Sequence, residues 1–247
     1  MQVATERLNF YRISAASGML GGVLAVVFNL LHPRSNDIVQ GGRGELELIA
    51  GSDIWRLDHV MLGLGTALIF IGIIGVALSM FGTSADTWAR AWLIFTTVAA
   101  SILLVTLALD GGPMKTLADQ WANGGKDAGA FAAANALMEI NSGLLGASIA
   151  LLFGVAPLLL GMAVMSGGGY PKALGQVALV GGALGLLDAL LLAFQGFTKL
   201  SVLILFPITS VLSTIVLTWA AWELWTKNQP IRTTTAARTD PPVTPGL

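Results

Sequence analysis

The stretch Ile54-Trp55-Arg56-Leu57-Asp58-His59-Val60-Met61-Leu62-Gly63-Leu64-Gly65-Thr66, continuing through Ala67–Ser79 to Met80-Phe81, decides the fold. Its head carries Arg56, Asp58 and His59; from Val60 to Phe81 there is no charge. About 20 apolar residues at ~1.5 Å each cross a bilayer core of roughly 30 Å. The stretch therefore reads as a membrane-spanning helix. At its start stand a Trp, an Arg, an Asp and one of the chain's 2 histidines.

Composition extends that reading to the rest of the chain. The 247 residues are 55% hydrophobic and 11% charged, with a mean hydropathy of +0.76. Soluble domains carry about 25% charged residues, so most of this chain faces lipid or other apolar helices. The net charge of -1, from 13 Lys+Arg against 14 Asp+Glu, leaves no polyanion-binding surface and argues against a nucleic-acid partner. The absence of Cys excludes disulfides, Cys-ligated clusters and thiol catalysis.

Five further apolar runs follow the same logic. Ile13–Leu31 ends in His32-Pro33-Arg34 and not in a small-residue cleavage site, so it reads as a retained first span. Trp88–Leu109 is the third, broken by Asp110-Gly111-Gly112-Pro113. Asn141–Met165 is the fourth, interrupted at Pro157 and preceded by an Ala-rich helical lead from Ala128. Ala173–Phe194 is the fifth, with Asp188 inside it and Gly181 and Gly185 in a GxxxG packing pattern. Leu200–Trp222 is the sixth, interrupted at Pro207 and closed by Trp219, Trp222 and Trp225 as an interfacial belt. The fold class is an all-α integral membrane protein, a six-transmembrane-helix bundle. It divides into an N-terminal segment 1–12, a transmembrane domain 13–226 with links 33–53 and 111–127, and a Thr/Pro-rich disordered tail 227–247.

Six spans put both termini on one side of the membrane. If that side is the cytoplasm, Arg7, Arg12, Arg90, Lys172, Lys227, Arg232 and Arg238 lie inside. Arg34, Arg43, Arg56, Lys115, Lys126 and Lys199 then lie outside, on much longer links. Basic density favours both termini in the cytoplasm of a multi-pass plasma-membrane protein.

Alternating direction gathers the polar residues. His32 ends the first span, Asp58 and His59 begin the second, Asp110 ends the third, Glu139 precedes the fourth and Asp188 lies late in the fifth. All fall at the outer end. Asn29 shares a face with His32, three residues away. Helix-end charges ordinarily reach into lipid headgroups, and that reading stands for Asp58, Asp110 and Lys199. An ionised Asp188 inside the bilayer must face the bundle, pair, or stay protonated. The expected pocket is lined by His59, His32, Glu139, Asp188, Asn29 and Asp58. The links 33–53 and 111–127 should fold over it as a lid with ordered helix.

Three readings share that pocket. It can bind a ligand in a binding protein or accessory subunit, with the lipid bilayer, a second copy or a membrane partner subunit as its neighbours. It can serve a small-solute or proton-coupled transporter, because Pro157 and Pro207 interrupt helices that can line a path. It can hold one haem b between His32 and His59, or a divalent metal on His32, His59 and Glu139, in a membrane enzyme. No HExxH, phosphate loop or dinucleotide fingerprint narrows the choice.

Overall fold

The computed structural model describes residues 2–33, 42–196 and 198–228, which form helices joined by short turns, with no strand among them. Its elements are α1 (Gln2–Leu31), α2 (Arg43–Gly51), α3 (Trp55–Met80), α4 (Asp86–Leu109), α5 (Lys115–Asn123), α6 (Ala128–Ser148), α7 (Ala156–Met165), α8 (Lys172–Gln195) and α9 (Phe206–Lys227). π-helical turns at Asp110–Met114, Ile149–Val155 and Ser201–Leu205 join α4 to α5, α6 to α7, and lead into α9. Six helical runs are long and apolar enough to cross a membrane: Thr5–Leu31, Trp55–Met80, Asp86–Asn123, Ala128–Met165, Lys172–Gln195 and Leu203–Lys227. The expected tail, and the first part of the link after Pro33, lie outside the described residues.

The helix after Leu109 departs from expectation. Asp110-Gly111-Gly112-Pro113 was expected to end it, yet it continues through a π turn into α5, with Pro113 inside the turn. A wider turn accommodates a ring that would clash with the carbonyl four residues back in a regular α-helix. The resulting run of 38 residues, Asp86–Asn123, is matched by one of 38 residues, Ala128–Met165. Each is about 57 Å long, nearly twice a bilayer core. Their surplus length stands beyond the apolar zone at the end that carries the histidines.

The other end is pinned by its own contacts. The Arg12 guanidinium donates to the Asn228 carbonyl at 2.9 Å, and Tyr170 and Ser79 share a hydrogen bond of 2.8 Å. The main core fills this half with Ile73, Val76, Met80, Trp92, Leu160 and Leu224. α1 packs along α3 so closely that a Cβ on Gly72 would meet the Gly18 Cα at 2.6 Å. Large apolar side chains such as Leu20, Leu30, Val60, Ile94, Leu190 and Phe194 point outward.

A second, smaller core lies at the histidine end. Leu46 and Ile49 of α2, Met114, Ala118 and Trp121 around α5, Ala134 and Met138 of α6, and Trp55 of α3 are buried together. α2 and α5 therefore form a packed cap. Burying Trp121 is worth ~4 kcal/mol or more by area. The exposed Lys126–Glu47 ion pair at 2.5 Å is screened by water and adds little. Lys115 adds a tie by donating to the Ala50 carbonyl at 2.9 Å.

Candidate functional site

Three chain segments converge beneath that cap. Trp55 and His59, four residues apart on the first turns of α3, stack with ring centroids 4.8 Å apart. His32, just past the end of α1, packs on both: 5.1 Å from the Trp55 ring and 5.2 Å from the His59 ring. Asp110 arrives on the π turn after α4, and the Trp55 indole donates to its backbone carbonyl at 3.0 Å. Gly111 makes that approach possible, since a Cβ there would sit 2.5 Å from the His59 Cβ.

The hydrogen bonds assign the ring nitrogens. His32 Nδ1 lies 2.6 Å from Asp58 Oδ2. His59 Nδ1 lies 2.7 Å from the Trp55 carbonyl, which only accepts, so that nitrogen carries a proton. His59 Nε2 lies 3.3 Å from Asp110 Oδ2. With both Nδ1 atoms engaged and the His59 Nε2 facing Asp110, the His32 Nε2 is the ring nitrogen left for a ligand. Asp58 is fully buried, and its Oδ1 has no hydrogen-bond partner among the described residues.

His32, His59 and Asp110 form one end of a cavity of about 240 Å³. Its walls run down α1, α3, α4 and α9 through Asn29, Leu62, Ile69, Leu103 and Leu217, with Thr66, Thr96, Thr106 and Ser210 the main polar interruptions. The hydroxyls of Thr66, Thr96 and Thr106 bond back to the carbonyls of their own helices at 2.6–3.0 Å. The walls are thus mainly apolar, apart from the Ser213 hydroxyl, which has no partner among the described residues, and the ionisable groups gather at one end. Val26, Leu30 and Val211 belong both to the wall and to the exposed apolar surface.

Of the residues expected in the pocket, His32, Asp58 and His59 lie together, and Asn29 lines the same cavity. Glu139 lies on an exposed face of α6, and neither it nor Asp188 is among the lining residues. Asp188 is fully buried elsewhere, where Ser201 donates to its Oδ1 at 2.6 Å; the histidines are not its partners. Two further participants, Asp110 and Trp55, were placed at this end by the sequence but not in the pocket, Asp110 being read as a headgroup-facing helix end. The Gly-Gly pair after Asp110 was the available sign that backbone would pass close to another helix.

A third is Glu45 on α2. Burial first, and the negative charge of Asp110 second, push its carboxyl from an ordinary 4.5 up to about 7. The cap thus sets an acid facing the same carboxylate that faces His59.

Geometry separates the proposed chemistries. The His32 and His59 rings touch edge to face, so no porphyrin plane fits between them as a bis-histidine site requires. Ligand atoms of His32, Asp58 and His59 do come within 4.8 Å of one another. Yet two ligands held at ~2.0–2.1 Å around a tetrahedral metal stand more than 3 Å apart. The 2.6 Å between Nδ1 and Oδ2 is the length of a charge-assisted hydrogen bond with a proton between them. No family model matches the chain, and comparison with curated proteins and with solved structures returns no match.

Proposed function

We propose that this membrane protein binds a small amphiphile, with the polar head against His32, His59 and Asp110, His32 being held from behind by Asp58, and the apolar part along the cavity. The observation that carries the reading is the cavity itself, with its ionisable groups at one end only and continuous with the outer apolar surface at Val26, Leu30 and Val211. The ligand then enters sideways from lipid. Two carboxylates at the polar end oppose an anionic head, whereas a hydroxyl both donates to Asp110 and accepts from an imidazole. The volume lies just below the ~300–1,000 Å³ of drug-sized pockets, which limits the ligand to a short chain or a single ring system.

The protein acts as a ligand-binding or accessory component of the plasma membrane. Basic residues at the Arg12 end support both termini in the cytoplasm and the capped pocket outward. The test uses the full chain in nanodiscs and a diazirine-bearing ten-carbon alcohol as probe. Labelling should map to cavity-lining peptides, and Ala100→Phe, which fills the cavity, should abolish it. Labelling spread evenly over outward-facing peptides, and unchanged by Ala100→Phe, would refute the reading.

A further inference from the structure

The second buried carboxylate belongs to a different construction. Asp188 of α8 is fully buried, its Oδ1 accepts from Ser201, and its Oδ2 has no partner among the described residues. No basic side chain bonds it there. Both neighbouring helical runs carry the same irregularity beside it. The π turn Ile149–Val155 precedes Pro157, and the π turn Ser201–Leu205 precedes Pro207. Each proline sits two residues past its turn and withholds the N–H that a regular helix would give to the carbonyl four residues back, Phe153 and Leu203 respectively.

The first of these carbonyls faces α8. A Cβ on Gly185 would lie 2.0 Å from the Phe153 oxygen, so only a glycine admits that carbonyl to this face. Asp188 follows Gly185 by three residues, about 4.5 Å along the same side of the helix. The two irregular segments also touch each other, with the Phe153 and Phe206 rings 5.7 Å apart. Both rings line the amphiphile cavity, whereas Asp188 and Ser201 do not.

We infer that Asp188 Oδ2, the Ser201 hydroxyl and the Phe153 carbonyl form a binding site for a desolvated monovalent cation, Na+. All the donors are hard oxygens, the type that binds group-one and group-two ions in place of water. One carboxylate neutralises one positive charge. A divalent ion there would leave a net charge buried in apolar surroundings at a cost of several kcal/mol. Ser201 donates its proton to Oδ1 and keeps its lone pairs for the ion. Broken helices whose freed carbonyls meet a carboxylate are a general way of holding a cation inside a membrane protein.

The experiment takes the full chain, purified in choline chloride, and titrates NaCl at constant ionic strength while reading thermal stability and bound 22Na+. Wild type should gain stability saturably with Na+ and much less with K+. Asp188→Asn should lose both responses while melting near the wild-type temperature in choline. Ser201→Ala should weaken apparent affinity about tenfold, the loss of one ligand contact. Identical melting in Na+ and choline with no bound 22Na+ in wild type overturns the site, as does a Na+ response that survives Asp188→Asn. If the Asn variant does not fold, an unchanged affinity in Ser201→Ala overturns it.

Discussion

His32 Nδ1 and Asp58 Oδ2 stand 2.6 Å apart, one at the end of α1 and the other on the first turn of α3. The carboxylate is fully buried, whereas the imidazole is partly exposed. The pair is therefore asymmetric: losing the histidine strands a buried charge, and losing both removes the problem. His32→Leu should cost about 3–5 kcal/mol, and the double variant His32→Leu/Asp58→Leu much less. Thermal melts of the two singles and the double form a double-mutant cycle. Additive losses would show that the contact carries no coupling.

Gly111→Ala tests how tightly the π turn presses on His59. The new methyl would overlap the His59 Cβ at 2.5 Å, so the turn or the ring must shift. A loss of about 1–3 kcal/mol is expected from overpacking. Gly112→Ala meets nothing within 4 Å and serves as the control. Equal melting temperatures for the two variants would deny the close contact.

The cap should respond to pH through Glu45. Its carboxyl titrates near 4.5 when the cap is open and about 7 when it is closed. The closed form then holds more protons between these values, so closure weakens as pH rises through that window and levels off above about 7. Amide exchange in α2 should accelerate from pH 4.5 to 7, after correction for intrinsic rates. Glu45→Gln should flatten the profile. An α2 exchange profile with the same slope in wild type and Glu45→Gln would place the pH sensitivity elsewhere.

Trp121→Ala should loosen the cap without unfolding the bundle. Trp121 is buried in the small cluster with Leu46, Ile49 and Met114, apart from the main core around Trp92 and Leu160. Truncating a buried Trp costs ~3–5 kcal/mol. Exchange should rise in α2 and α5 and stay slow in α3 and α8. Uniform acceleration across the chain would mean that cap and bundle unfold as one unit.

The long apolar helices were legible because span length and apolarity are written directly into the sequence. The shared depth of His32, Asp58 and His59 followed from alternating direction alone. Which of these residues touch did not, because sequence gives depth far better than azimuth. Asp110 shows why. A π turn adds a residue to the helical repeat and swings the side chain around the axis, so spacing rules written for 3.6 residues per turn misplace it. Glu139 was drawn into the pocket by depth, but its azimuth on α6 leaves it exposed. Asp188 was expected to line the pocket with the histidines and is instead buried against Ser201. Its partner Ser201 was overlooked because the chain turns back at Gly196, at φ 68°, bringing a hydroxyl 13 residues away alongside it.

The π turn at Ile149–Val155 also determines how this chain tolerates insertion and deletion. Such a turn holds one residue more than the α-helical path between the same two points. Removing a single residue there would let the helix close into regular α form while keeping its length nearly unchanged. Everything after it would keep its azimuth, because the residue removed is the one the wider turn had absorbed. A deletion in the regular helix after Pro157 would instead turn the small residues Gly161 and Ala163 away from α8 by about 100°. A lineage carrying this fold can thus lose one residue at the π turn at little cost, whereas a one-residue change in the regular turns of α7 would re-index its face against α8.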